Sequence, residues 1–371
     1  MTEAVARSSL AAARRVVVKV GSQLLAAEPS TFARVAADIA ALVTAGRQVV
    51  LVTSGAIALG LEPLGLTERP RDLVGLQAAA AAGQSRLMRR WMDVCEGVHG
   101  MRCAQVLLTH ADLADRRRYL NARSALGRLL GAGLLPIINE NDTVSVEEIK
   151  LGDNDLLAAE VCGLIGAAAV ALLTSSDGLM SGDPKSDPTA ARIPFVTDVN
   201  TANGLIGIPS RFGTGGMGTK LRAAELARRH GAVTVIVPGS RAGVLAAAMA
   251  GDDVGTVFSP PSESPARARK RWIAHTLRPA GTLIVDEGAK AALEQHASLL
   301  YAGVREVRGR FYEGDCVEVA LSDGAPFARG LVALDHERAA KVAGLKTAAA
   351  RERLGELLPN ELVHKDDLVM L

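Results

Sequence analysis

Residues 15–55 read RVVVKVGSQLLAAEPSTFARVAADIAALVTAGRQVVLVTSG. RVVVKV (15–20) and QVVLVT (48–53) are almost unbroken apolar, β-branched runs, the mark of strands buried on both faces. TFARVAADIAALVTAG (31–46) lies between them with apolar residues at helical spacing, and Gly46 is placed to end that helix. A strand, a helix and a second strand of these lengths form a right-handed parallel βαβ unit. Similar runs recur at AQVLLT (104–109), LLPIIN (134–139), AVALLT (169–174) and VTVIVPG (233–239). The fold expected is therefore α/β, an open, mainly parallel sheet sandwiched by helices. TVSVEEIK (143–150) alternates polar and apolar residues instead, as a half-exposed strand or hairpin arm does.

The bulk properties set limits on this reading. A chain of 371 residues exceeds what one core usually supports, so two domains are expected. Hydrophobic content of 49% and charged content of 22% fit a soluble globular protein. A formal charge of +2 gives no compositional case for a nucleic-acid or membrane partner. The four cysteines, Cys95, Cys103, Cys162 and Cys316, include no C-x-x-C pair, which suits reduced, buried thiols over a disulfide framework or zinc site. Arg7, Arg14 and Arg15 interrupt the N-terminal segment and leave no apolar signal core. The longest apolar run, Val161–Leu173, is too short for a bilayer and reads as helix, glycine turn and strand. A cytoplasmic address is expected.

Texture divides the chain into a domain at 1–258, a linker with a short basic helix at 259–276, and a small β-rich domain at 277–371. The linker starts Pro/Ser-rich in SPPSESPARARKRW (259–272) and turns basic, as a solvated helix face or a nucleic-acid patch would. After it come short strand-like runs: GTLIVD, SLLYAGV, REVRGRF, DCVEVAL and FARGLVAL. This tail carries 12 Lys and Arg against 15 Asp and Glu, a net charge of −3 that does not resemble an RNA footprint.

Ligands of open α/β sheets bind at the carboxyl ends of the strands. Three strands here run into small polar or glycine turns: Gly21-Ser22, Ser54-Gly55-Ala56 and Ser175-Ser176-Asp177-Gly178. Backbone N–H groups presented there favour an anion. Lys19 sits inside the first strand, either snorkelling to water from an edge or holding its ammonium over a phosphate. NEND (139–142) and GDND (152–155) gather acidic and amide side chains beyond the need of one helix cap, which suits a ligand bearing an ammonium. An oxygen-ligated Mg²⁺ shared with phosphates is the competing reading. GTGGMGTK (213–220) imitates a P-loop but reverses its last two residues, and GLIGIPSRF before it is no strand. Lys220 then belongs to the first turn of a helix fed by a glycine loop. Two lysines, glycine turns and no general-base His point to phosphoryl transfer.

VVVKVGSQLL, VVLVTSGAIALG, QAAAAAGQSRLM, QVLLTHADLADRRRYLNAR, PIINENDTVSVEEIKLGDND and GTGGMGTK, in this order, resemble the amino-acid kinase family. The resemblance covers nearly the whole chain, and the tail is similar to a PUA domain. NENDTV…GDND points within the family to the branch that makes glutamyl 5-phosphate from L-glutamate and ATP, the first step of proline synthesis. The resemblance implies that Lys19 and Lys220 neutralise the transferring phosphoryl group and that Asp153 orients them. It implies Ser54, Asp142 and Asn154 as glutamate ligands, with Gly55 and Asp155 nearby. Lys19, Thr174, Ser175 and the stretch Thr214, Gly215, Gly216, Met217, Gly218, Thr219, Lys220 would line the ATP site. It further implies Mg²⁺ held mostly by phosphates and water, feedback by proline, a homo-oligomer (dimer or tetramer) and a functional link to glutamyl-phosphate reductase. Three features depart from the family pattern: Ser175 in place of the usual Asp, Tyr301 in place of a Pro, and AGLKTAAARERLGELL in place of a Ser-x-Glu-Ile stretch. A sister kinase acting on another carboxylate or phosphate, or an RNA-binding role for the tail, are the alternative readings.

Overall fold

The computed structural model describes residues 2–28, 30–145, 154–182, 187, 189–199, 216–259, 270, 273–274, 277–355 and 358–371. Its contacts divide the chain into two compact units, residues 1–114 with 122–265 and residues 115–121 with 266–371. No helix among the described residues is long and apolar enough to cross a membrane.

In the first unit, β1 (Arg15–Val20), β2 (Gln48–Val52), β3 (Cys103–Leu108), β4 (Leu135–Glu140), β5 (Ala169–Thr174), β6 (Phe195–Val196), β7 (Val233–Pro238) and β8 (Thr256–Phe258) form one sheet. The order is β3-β4-β2-β1-β5-β7-β8-β6, parallel throughout except for the β7–β8 pair. β1 is central, paired with β2 on one side and β5 on the other. Val16, Val17, Val18 and Val20 are fully buried, as a strand covered on both faces requires. The chain runs from β1 to β2, on to β3 at the sheet edge, back to β4 between β3 and β2, and then across to β5 on the other side of β1. β1 therefore lies at the switch point, where the carboxyl edge opens a crevice.

The helices form where the sequence dictates. Ser30–Thr44 buries Phe32, Val35, Ala36, Ile39 and Leu42 on one face. It stops because Gly46 turns left-handed at φ 81°, with its N–H donating to the Val43 carbonyl and that of Arg47 to Leu42. The long helix Leu73–His99 starts on Asp72, whose carboxylate accepts from the Gly75 N–H at 2.7 Å, and ends on left-handed Gly100. Helix Asn154–Ile165, Gly166 at φ 62° and strand β5 follow in turn, as expected for the run 161–173. None of the four cysteines forms a disulfide.

The second unit carries a five-stranded sheet of β9 (Gly281–Val285), β10 (Val304–Gly309), β11 (Cys316–Ala320), β12 (Ala328–Val332) and β13 (Val363–Met370), in the order β10-β9-β11-β12-β13. Its core includes Leu283, Tyr301, Phe311, Val317, Val319 and Leu362. SLLYAGV, expected as a strand, is not one. Residues Tyr301–Gly303 form a single 3₁₀ turn, because Tyr301 drives its ring into the core and donates its hydroxyl to the Pro359 carbonyl at 2.7 Å. Only Leu299 bridges to Val363. The divergent AGLKTAAARERLGELL contains the helix Thr347–Leu354. Most of TVSVEEIK (146–150) and most of the linker (260–269, 271–272 and 275–276) lie outside the described residues.

Candidate active site

Lys19 occupies the penultimate position of β1, and its ammonium reaches forward to the strand end. A Cβ added at Gly21 would stand 3.3 Å from Lys19 Nζ, so the glycine leaves room for that group. Lys19 is only 3% exposed. It is not an edge-strand lysine snorkelling to water, since its strand is central. Asp155, fully buried in the first turn of Asn154–Ile165, places Oδ1 at 2.7 Å from Lys19 Nζ. Its Oδ2 lies 3.0 Å from the ammonium of Lys220, itself buried. Thr219 Oγ1 is 2.9 Å from the same oxygen and 2.7 Å from the Gly216 carbonyl. Lys220 stands in the first turn of helix Met217–Arg229, which Gly216 precedes in extended conformation.

Three charges thus share one buried volume, two positive and one negative. Desolvation of such groups costs several kcal/mol per ion unless partners compensate. Burial by itself would raise the Asp155 carboxyl, but the ammonium groups of Lys19 and Lys220 more than reverse this and hold it below the ordinary carboxylate range. Burial, aided by Lys220 and opposed by Asp155, pulls Lys19 below the ordinary lysine range. The residual charge of +1 at the carboxyl edge of the sheet is set up to receive an anion.

Asn154 lies beside this cluster, one residue earlier on the helix. Its Nδ2 is 2.7 Å from the Thr53 carbonyl, 2.7 Å from Ser54 Oγ and 3.0 Å from Asn139 Oδ1. Its Oδ1 is buried with no hydrogen-bond partner among the described residues. Thr53 and Ser54 end β2, and Gly55 follows at φ 110°, a backbone angle that a side chain would strain. Trp91 Nε1 donates to Thr53 Oγ1 at 2.9 Å and fixes this turn from beneath. Asn139, buried at the end of β4, donates from Nδ2 to Gln84 Oε1 at 2.8 Å.

Asp142 lies in the turn after β4 and helps line a cavity of about 310 Å³ with Gln84, Ser85, Gln105 and Glu140. Burial first, and then the neighbouring Glu140, push its carboxyl up to about 7, against a smaller opposing pull from Arg69. Thr174 and Ser175 stand at the end of β5, Thr174 half-buried and Ser175 exposed.

The structure therefore brings together Lys19, Lys220, Thr219 and Asp155 in one cluster, and Asn154 with Ser54 in another beside it. The expected roles of the GDND carboxylates differ in one respect. Asp155 was expected next to a substrate, but it is sealed from solvent and bridges the lysines, because the first helical turn aims it back at β1. Asp153, expected to orient the lysines, lies outside the described residues, as do Thr214, Gly215 and the stretch 204–212 before the glycine loop. Gln84, Thr53 and Trp91 were not foreseen as contributors, whereas Gly21 and Asn139 had been read only as parts of a glycine turn and of the NEND cluster. Asn139 carried a signal, a polar side chain at the tip of an apolar strand. A glutamine on a long helix carries none.

Among the described residues, no three His, Cys, Asp or Glu side chains group as metal ligands. Residues 14–238 match the model of the amino acid kinase family, and residues 281–354 match that of the PUA domain. The glutamate 5-kinase of Pelobacter propionicus is 46% identical over 368 residues, covering 96% of this chain and 98% of its own. That of Myxococcus xanthus is 47% identical over 372 residues, covering 98% of each.

Proposed function

Because this chain belongs to the amino acid kinase family, we propose that it transfers the γ-phosphoryl group of ATP to the side-chain carboxylate of L-glutamate, making L-glutamyl 5-phosphate. The observation that carries the reading is the Lys19–Asp155–Lys220 triad, a buried cluster of net positive charge at the switch point of the sheet. A carboxylate oxygen of glutamate attacks the γ-phosphorus, the bond to the bridging oxygen breaks, and ADP leaves with that electron pair. No proton changes hands, because the nucleophile is already ionised at neutral pH. The chain needs no general base and spends its residues on alignment and charge.

Lys19 and Lys220 are placed to face the developing charge on the transferred group, and Asp155 keeps the two ammoniums together and charged. Thr174, Ser175 and the glycine loop through Lys220 would hold the nucleotide. Both oxygens of Asp155 are engaged by ammonium groups, so a Mg²⁺ would be held by phosphate oxygens and water, adding charge neutralisation. Asn154 Oδ1, without a donor among the described residues, suits the substrate ammonium, with Ser54 and Asp142 as further ligands. The same reading carries feedback by proline, assembly as a dimer or tetramer, Asp153 as a further orienting carboxylate, and a product consumed by glutamyl-phosphate reductase. It also places the kinase domain at 1–258 and the PUA-like domain at 277–371.

Replacing Lys220 with Ala is expected to lower kcat about 10²- to 10³-fold, the usual loss for one charge-stabilising donor. Formation of acyl phosphate, trapped with hydroxylamine as the hydroxamate, measures this. Undiminished activity would remove Lys220 from the role.

Asp142 gives a pH prediction. Its carboxyl titrates at about 7, so as pH falls through that value it takes up a proton and stops accepting from an ammonium. kcat/KM for glutamate should decline below pH about 7 while KM for ATP stays level. Asp142→Asn should have a low kcat/KM with that limb flattened. A variant that kept the wild-type pH profile would show that another group is responsible.

A further inference from the structure

The three amides of Gln84, Asn139 and Asn154 form a directed line into the site. The orientation of each follows from one unambiguous acceptor, the Thr53 backbone carbonyl. Because a carbonyl can only accept, the Asn154 atom 2.7 Å away must be nitrogen. Asn139, facing that same nitrogen at 3.0 Å, must then present oxygen. Its own nitrogen points the other way, to Gln84, which presents Oε1 at 2.8 Å. The line leaves Asn154 Oδ1 as a buried acceptor without a donor among the described residues.

We propose that Gln84 is a positioning residue for substrate binding, acting through Asn139 to keep the acceptor end of Asn154 turned toward the ligand. Gln84 sits on the long helix Leu73–His99, next to Gly83 and half-buried. Its acceptor is the only one recorded for the buried Asn139 amide nitrogen among the described residues. Without it, the buried Asn139 amide nitrogen has no acceptor, and nothing holds the amide against turning over. Once turned, it offers Asn154 a donor where an acceptor had been, and the Asn154 amide loses one of the contacts that hold it.

This inference rests on the reading that Asn154 binds the amino-acid substrate, and the experiment separates the two. Steady-state kinetics of the full chain would be measured for Gln84→Met, Gln84→Glu and Asn154→Ala, with glutamate and ATP varied in turn. Gln84→Met keeps the length of the side chain and removes the acceptor. It should raise KM for glutamate about tenfold, the worth of one hydrogen bond, and leave KM for ATP within about twofold. Gln84→Glu restores an acceptor and should bring KM for glutamate back to within about threefold of wild type. A role in packing alone would not be rescued by Glu. Thermal unfolding of each variant, with Gln84→Ala as a smaller replacement if Gln84→Met fails to fold, keeps the comparison to folded protein. The proposal falls if Gln84→Met leaves KM for glutamate unchanged while Asn154→Ala raises it, if both substrates are affected alike, or if Gln84→Glu is as impaired as Gln84→Met. If Asn154→Ala leaves KM for glutamate unchanged, the substrate reading of Asn154 fails first, and the role of Gln84 fails with it.

Discussion

Asp155→Asn is expected to lower kcat about 10²- to 10³-fold, because the positively charged cluster loses the group that organises it. Asparagine has nearly the same shape, so the change removes charge and leaves packing almost intact. Two buried ammonium groups would then face a neutral amide, and removing one partner of a buried ion pair typically costs about 3–5 kcal/mol. Part of that cost is relieved when a lysine gives up its proton. Lys19 is already drawn below the ordinary lysine range by burial, and it would be drawn lower without Asp155.

The sign of the pH dependence follows. With the native pKa of Lys19 below the unfolded value, the unfolded chain binds more protons between the two values, so stability rises with pH across that window. Activity runs the opposite way, since the chemistry needs the charged lysine. The variant should therefore gain activity as pH is lowered from the alkaline side and gain thermal stability as pH is raised. Hydroxamate formation and thermal unfolding on the same pH series would measure both. A variant with wild-type kcat, or with both quantities moving in the same direction, would contradict the bridging role.

The second large effect is structural. Gly83→Ala is expected to destabilise the first unit by about 3 kcal/mol or more, the upper range for overpacking against a surface that cannot retreat. A Cβ at Gly83 would meet the Ala56 carbonyl oxygen at 1.8 Å and the Gly60 nitrogen at 2.5 Å. Reciprocally, a Cβ at Gly60 would meet the Ala79 carbonyl oxygen at 1.7 Å. The long helix Leu73–His99 and the short helix Ala56–Gly60 therefore touch backbone to backbone. No side-chain rotation can make space. The short helix follows directly from Ser54 and Gly55, so the substitution should also raise KM for glutamate in whatever folded fraction remains. Gly97→Ala on the same long helix is the control. Its Cβ would meet nothing within 4 Å, and exchanging a helical Gly for Ala is worth up to about 1 kcal/mol in favour of the variant. Denaturant unfolding of the two variants side by side decides the matter. Equal midpoints would mean that the backbone contact is not a constraint.

These two cases mark how far the sequence could be read. Lys19 was legible because a charge inside RVVVKV conflicts with its surroundings, and such a conflict is resolved only by a partner or a ligand. Lys220 was legible because a glycine loop feeding a helix needs no comparison beyond itself. QAAAAAGQSRLM, by contrast, was recognised as a family motif without a physical reason. The structure supplies the reason: Gly83 is the point of backbone contact, and Gln84 beside it reaches Asn139 across 55 positions. The PUA-like tail divides in the same way. Its alternating strands were apparent, whereas Tyr301 turned an expected strand into a 3₁₀ turn by burying its ring.

The sequence alone determined the α/β class and the mainly parallel sheet, because buried strands and amphipathic helices have local periods that survive in one dimension. It also determined that glycine and small polar turns follow the carboxyl ends of the strands, since each strand leads straight into its own turn. Only the tertiary structure decided that Asp155 joins the lysines. Its reach to them depends on the rotation of Asn154–Ile165 about its axis. That rotation is set by packing against β1 and the helix Met217–Arg229, both distant in the chain and on either side of it. Helical phase at a single position is a long-range property, and no local pattern carries it.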